Sequence, residues 1–164
     1  YYVYGNINTN VTEAKKTEKY STYGVLYNWP AAMNGEASSI TNPSRIQGVC
    51  PTGWHLPSDA EWTELTDYFG GHTVAGGKLK ETGTTHWLSP NEGAINEIGF
   101  TALPGGGLYN TGEFNNYGKI GLWWSSTEDD ANFAFSRVMW YDKSLVSKAA
   151  SYKELGASVR CIRD

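Results

Sequence analysis

The chain has 164 residues, which is enough for a single domain of ordinary size with its own hydrophobic core. Its formal net charge is −4 and its Lys and Arg residues are scattered, which argues against a nucleic-acid-binding protein. No run approaches the roughly 18 apolar residues that a membrane-spanning helix needs, so we expect no membrane insertion by this domain. The sequence predicts one domain over 1–164, with a poorly patterned segment over 1–22.

Aromatic and glycine residues are abundant, whereas charged residues are few. The chain contains 7 Trp, 11 Tyr and 19 Gly, and only 18% of its residues are charged. Tyr and Trp provide large, rigid contact areas at a small entropic cost. This composition favours a loop-rich domain with a binding surface.

The first third of the chain carries weak signals. Residues 1–22 predict a short strand at most, followed by a solvated polar segment. The apolar run 23–29 predicts a strand, and 30–33 predicts one or two helical turns that end at an Asn-Gly pair. Nothing in this part of the sequence suggests catalysis.

The two cysteines, Cys50 and Cys161, lie in the middle of the chain and close to its end. Two cysteines alone do not fix the redox compartment, because a cytosolic protein can hold two free thiols. Their spacing is compatible with a disulfide that ties mid-chain to the last strand, and equally with two free thiols.

The strongest local signal is a helix that starts near Ser58 and stops at a glycine pair after Phe69. Ser58 and Glu61 have the spacing of a capping box, and the apolar side chains that follow fall on one helical face. Residues 74–81 predict a second, shorter helix. Beyond it, residues 82–127 are rich in Gly, Asn, Pro and aromatic residues, and long ordered loops of this kind are usually functional.

The last forty or so residues predict strands at 121–127, 134–141, 145–149 and 157–162. The two-residue period of a strand divides the second of these into two faces. One face consists of Ser136, Val138, Trp140 and Asp142, and the other of Phe135, Arg137, Met139 and Tyr141. We expect one face to be core and the other to be open to a partner, and periodicity alone leaves open which is which.

Five runs of the sequence together resemble one known family. They are Cys50 to Trp62, Gly76 to Trp87, Gly99 to Gly106, Trp123 to Glu128 and Ser158 to Cys161. From about Tyr23 to the C-terminus, in consistent order, they resemble the Fibrobacter succinogenes major paralogous domain. That family occurs in surface and secreted proteins of Bacteroidetes and their relatives, and its fold is similar to that of C-type lectins.

The resemblance implies an α+β, C-type lectin-like fold with two helices, small antiparallel sheets and long irregular loops. It also implies a Cys50–Cys161 disulfide, because a C-type lectin domain joins a cysteine near its second helix to one in its last strand. An extracytoplasmic location follows, either at the cell surface, as a secreted protein, or on a phage tail fibre.

Several C-terminal positions depart from the Asn, Asp or Tyr that family members tend to carry there. This departure resembles variable proteins that retroelements diversify by mutating template adenines, a hypothesis that predicts a template repeat and a reverse transcriptase beside the gene. The candidate ligand-binding residues are Tyr117, Leu122, Ser136, Val138, Trp140, Asp142, Lys143, Leu145, Ser147 and Tyr152. Trp140 and Tyr152 are the expected hot spots, since large rigid side chains often dominate binding. The alternative is that these residues are buried in an interdomain or oligomer contact.

The resemblance thus favours a non-catalytic recognition domain, an adhesin or receptor-binding module that contacts a cell-surface protein or glycan. The alternative is a carbohydrate-processing accessory or hydrolase domain that uses two of the acids Glu92, Glu97 and Glu113. We expect no cofactor and no metal, with calcium at Glu128-Asp129-Asp130 as the alternative. His55, His72 and His86 lack the spacing of metal ligands.

Overall fold

The structure, a computed structural model, describes residues 1–6 and 10–164. Residues 7–9, which belong to the poorly patterned segment, lie outside the described residues. The helices are α1 (Val11–Ala14), α2 (Glu18–Tyr23), α3 (Trp29–Met33), α4 (Asp59–Tyr68) and α5 (His72–Leu79). The strands are β1 (Trp54–His55), β2 (Gly107–Leu108), β3 (Phe114–Asn115), β4 (Ile120–Glu128), β5 (Phe133–Trp140), β6 (Val146–Tyr152) and β7 (Ile162–Arg163). The mixture of helices and small antiparallel sheets confirms the α+β class.

The capping box at the start of α4 is confirmed. The Ser58 hydroxyl accepts a hydrogen bond from the Glu61 amide at 3.2 Å, and the Glu61 carboxylate accepts one from the Ser58 amide at 2.9 Å. These two bonds satisfy amides that an isolated helix end leaves without partners. Helices α3 and α5 also form where the sequence predicts helical turns.

The N-terminal third differs from the sequence prediction. Two short helices, α1 and α2, occupy a segment that predicts a strand at most, and Asn10 and Thr17 cap them. The predicted strand over 23–29 forms only isolated bridges, which pair Leu26 with Tyr2 and Tyr27 with Ala157. Asn28 then caps α3, so the helix begins one residue earlier than the predicted turns.

The largest sheet has the order β4-β5-β6 and is antiparallel. A separate two-residue ladder pairs β7 with β1, and it brings the end of the chain beside its middle. Next to this ladder, Cys50 and Cys161 form a disulfide, with an S–S distance of 2.06 Å and their Cα atoms 5.9 Å apart. The disulfide that the resemblance implies is therefore present.

Both faces of the β4-β5-β6 sheet are covered over much of their length. On one face, Trp124 and Val138 pack in a cluster with α3 and Cys50. On the other face, Trp123 and Met139 pack in a second cluster with residues of α4 and α5. This differs from the expectation that one face of β5 is wholly open. Among the described residues, no helix has the length and apolar character needed to cross a membrane.

Candidate recognition surface

The β5–β6 turn, residues 141–145, is fixed by main-chain hydrogen bonds to three other parts of the molecule. The Tyr141 amide donates to the Lys119 carbonyl at 2.9 Å, and the Tyr141 carbonyl accepts from the Glu92 amide at 2.8 Å. The Ser144 carbonyl accepts from the amide of Gly77 in α5 at 2.9 Å. None of these bonds involves a side chain of the turn.

Lys80, directly after α5, supplies two further hydrogen bonds, one to the residue before the turn and one to its middle residue. Its side chain is fully buried, and its Nζ donates to the carbonyls of Trp140 at 2.9 Å and Lys143 at 3.0 Å. The ring of Trp87 lies 5.3 Å from the ammonium group. Burial lowers the pKa of Lys80 to about 8, although the negative charges of Glu92 and Asp142 oppose the shift.

Glycine at the surface of α5 allows the turn to approach this closely. A Cβ atom on Gly76 would lie 2.3 Å from the Leu145 carbonyl oxygen, and one on Gly77 would lie 2.5 Å from the Gly93 carbonyl oxygen. Both contacts are with main-chain atoms, which cannot rotate away. Gly76 therefore lets α5 pack directly against the backbone of the turn, and Gly77 lets α5 approach the neighbouring loop at Gly93.

The side chains at the turn differ in their packing, since Trp140 and Tyr141 lie partly against the two hydrophobic clusters of the sheet. Asp142 and Lys143 are exposed, while Trp140 and Leu145 are partly buried. The Lys143 ammonium lies 5.1 Å from the centre of the Trp140 ring, in the range of a cation–π contact. Ser147 lies on the same sheet face as Trp140, since it pairs with Val138. We call Trp140, Asp142, Lys143, Leu145 and Ser147 the recognition surface.

Three of the sequence-predicted ligand-binding residues are buried and do not belong to this surface. Leu122, Ser136 and Val138 are 5%, 0% and 7% exposed, respectively. Leu122 and Val138 pack in the core beside Trp124, and the Ser136 hydroxyl is 2.8 Å from that of Ser151. Their place in the core follows from the helices and loops that cover both sheet faces.

Two further predicted residues are exposed but lie elsewhere. Tyr152 is 55% exposed, and it stacks on Phe133 on the opposite face of the sheet, with ring centroids 4.3 Å apart. Tyr117 is 40% exposed and packs against Tyr4, and the ammonium of Lys19 lies 4.4 Å from the centre of the Tyr117 ring. The predicted site residues thus lie partly in the core and partly in three exposed places, which are the recognition surface, Tyr152 and Tyr117.

An ion-pair network that the sequence analysis missed fixes the β5-β6 pair to α4. The Asp59 carboxylate accepts hydrogen bonds from Arg137 at 2.6 Å and from Lys148 at 2.8 Å. Burial alone would raise the pKa of Asp59, but the bonds from Lys148 and Arg137 outweigh burial and hold it below its usual value. Arg137 and Lys148 are neighbours in the strand register, and only the fold brings Asp59 to them.

The acids named in the alternative hypotheses have different structural partners. Glu97 forms an ion pair with Lys78 at 3.2 Å, and Glu113 lies in the turn between β2 and β3. In the β4–β5 turn, Asp130 accepts hydrogen bonds from the amides that follow it in the chain. Within 1–6 and 10–164, no three His, Cys, Asp or Glu residues are grouped so that they could hold a metal ion.

Together these features define an α+β domain with a disulfide-linked terminus and a turn held by its backbone. The model of the Fibrobacter succinogenes major domain family matches residues 3–163, which is nearly the whole chain. The chain belongs to this family, as the sequence motifs predict. Neither a curated protein nor a solved structure matches the chain.

Proposed function

We propose that this domain is a non-catalytic, extracytoplasmic recognition module, an adhesin or receptor-binding domain that binds a cell-surface protein or glycan through the recognition surface. The observation that carries the proposal is the main-chain anchoring of the β5–β6 turn. Because the bonds that hold the turn end on its main-chain carbonyls and amides, the exposed side chains of Asp142 and Lys143 can change without loss of its conformation. A turn whose backbone is already rigid avoids the entropy cost of ordering that backbone on binding.

The composition of the recognition surface suits binding rather than catalysis. Trp140 offers a large aromatic side chain, and Asp142 and Lys143 offer charges of both signs beside it. Aromatic anchors of this kind are common among the residues that dominate protein interfaces. The Cys50–Cys161 disulfide is compatible with an oxidising, extracytoplasmic compartment.

The proposal includes a C-type lectin-like fold. Supporting features are the two longer helices, α4 and α5, the irregular stretch before β4, and a disulfide that joins the region before α4 to the last strand. It also includes diversification by a retroelement. Sequence variants should then differ within the recognition surface while keeping Lys80, Gly76 and Gly77, and a locus without a template repeat or a reverse transcriptase would contradict this part.

A direct test compares Trp140→Ala with the wild type on a glycan array and in cell-surface pull-downs. We expect Trp140→Ala to weaken the binding that the wild type shows by at least about tenfold. The matched control is Tyr68→Ala, which removes an aromatic side chain that is 79% exposed on α4. Circular dichroism verifies that both variants are folded. Unchanged binding by folded Trp140→Ala would refute the assignment.

A further inference from the structure

A cavity lies between loop 43–47 and the β1–β7 ladder, away from the recognition surface. Its volume is about 590 Å³, and Arg45, Trp54, His55 and Arg163 are among its lining residues. None of its lining residues belongs to β5, β6 or the β5–β6 turn. Cavities of this size with a few convergent polar groups are typical of small-molecule sites.

Hydrogen bonds to the interior of the domain fix the backbone on either side of Arg45, so the main chain at this arginine has a defined position. The Ser44 amide donates to the Glu61 carboxylate at 3.0 Å, and the Ile46 carbonyl accepts from the Leu56 amide at 2.7 Å. Arg45 itself has a φ of 60°, a left-handed conformation that residues other than glycine rarely adopt. Strained residues of this kind persist where the surroundings determine them, often at binding sites.

The opposite side of the cavity is built by the β1–β7 ladder. Trp54 pairs directly with Arg163, so their side chains lie on the same face of the ladder. Trp54 is 40% exposed, and no described residue stacks on its ring. The disulfide at Cys50 and Cys161 holds the two segments of the ladder together.

The acids of the cavity are already engaged, whereas its arginines are not. His55 is hydrogen-bonded to Glu61 through Nε2 at 2.7 Å and to Asp164 through Nδ1 at 2.6 Å. Among residues 1–6 and 10–164, no carboxylate forms an ion pair with Arg45 or Arg163, and both are exposed. The cavity therefore offers two uncommitted guanidinium groups beside an exposed indole ring, in a chain whose net charge is −4.

We propose that this cavity binds the carboxylate-bearing sugar unit of an acidic glycan. The guanidinium groups of Arg45 and Arg163 receive the carboxylate, a geometry for which arginine is well suited. The apolar face of the sugar ring lies against the indole of Trp54. Gln47 also lines the cavity; its amide nitrogen donates to the Cys50 carbonyl at 3.2 Å, so its side-chain oxygen is the group that accepts from a sugar hydroxyl. This second site adds to the recognition surface and does not depend on the proposed function.

An exposed indole in the same cavity as two unpaired arginines favours a sugar acid over a simple anion. A phosphate or a sulfate would use the arginines but leave the Trp54 ring uncovered. An acidic peptide presents its carboxylates on flexible stems without a flat apolar face. A uronic acid combines one carboxylate with one apolar ring face, which matches both features of the cavity.

The test measures binding of oligogalacturonate to the full chain by titration calorimetry and by the NMR signal of the Trp54 indole N–H. The neutral methyl ester of the same oligomer and an oligoglutamate peptide serve as comparison ligands. The variants are Arg163→Gln and Trp54→Ala, and the controls are Lys119→Gln and Tyr68→Ala. We expect the uronate to shift the Trp54 signal, and we expect the ester and both site variants to bind at least about tenfold more weakly.

Each other outcome overturns the proposal or part of its chemistry. Equal binding of the ester would exclude the role of the arginines, and full affinity in Trp54→Ala would exclude the sugar-stacking role. Equal affinity for oligoglutamate would replace the glycan with an acidic peptide. Absence of any shift at a saturating uronate concentration would exclude the site, while the Trp140 test of the recognition surface would stand unaffected.

Discussion

The β5–β6 turn and the β1–β7 ladder are both short segments, but they are held in different ways. Main-chain bonds and the buried Lys80 hold the turn. A disulfide and the side-chain network of His55, Glu61 and Asp164 hold the ladder. The exposed side chains of the turn itself therefore contribute little to its structure, whereas the side chains of the ladder contribute a great deal. The difference shows where this domain can change its surface without losing its fold.

The largest expected effect comes from breaking the covalent link beside the ladder. The double variant Cys50→Ser/Cys161→Ser opens a loop of 111 residues. On the chain-entropy model, the free energy of unfolding should fall by about 4–5 kcal/mol. Urea unfolding of the variant and of the oxidised wild type measures this difference. A loss below about 1 kcal/mol would mean that the disulfide constrains the unfolded chain much less than this model requires.

The next effect concerns Lys80, the buried side chain that holds the turn. Lys80→Met keeps much of the side-chain volume but leaves the carbonyls of Trp140 and Lys143 without their donor. We expect the free energy of unfolding to fall by about 3 kcal/mol, since buried carbonyls without partners are costly. The matched control is Lys119→Met, an exposed lysine, for which we expect a change within about 0.5 kcal/mol. Similar losses in both variants would contradict the anchoring role of Lys80.

A smaller effect, with a definite sign, should appear on changing the pH. Burial alone would lower the pKa of His55, but its bonds to Glu61 and Asp164 outweigh burial and hold the pKa above 6.5. The folded state then binds the proton more tightly, so this stabilisation is complete below the ordinary pKa and lost as the pH rises through the raised one.

Urea unfolding between about pH 6 and pH 8 tests the sign, because histidine titrates in this range. The free energy of unfolding of the wild type should fall with rising pH, and this fall should be weaker in His55→Gln. The buried Lys80, whose pKa is about 8, keeps its proton below about pH 7 and contributes little to the slope there, and nearer pH 8 its contribution is the same in both proteins. An identical slope in both proteins would show that the ladder network does not contribute.

Some elements of this fold could be predicted from the sequence and others could not. The capping box of Ser58 and Glu61 is a local pattern, so α4 was predictable, and the family motifs implied the disulfide. Helices α1 and α2 were missed because they are short and polar, although Asn10 and Thr17 are good capping residues. Short helices carry no apolar periodicity that a sequence pattern can reveal.

The candidate site was only partly predictable for a different reason. Periodicity placed Val138 and Trp140 together on one face of β5. It could not show that Val138 is buried, because this burial depends on α3, which lies far away in the sequence. Lys80 gave no signal, because a lysine is ordinarily exposed and its two carbonyl partners lie 60 and 63 residues further along the chain. Contacts of this range arise from the tertiary fold alone.

The smallest expected effect on stability belongs to the turn itself and tests the central claim most directly. In the double variant Asp142→Ala/Lys143→Ala, both altered side chains are exposed, so the free energy of unfolding should stay within about 0.5 kcal/mol of the wild type. Binding to the ligand found with the wild type should fall at least about tenfold in the same preparation. A loss of stability above about 2 kcal/mol, or unchanged binding, would contradict a recognition surface displayed on a backbone-held turn.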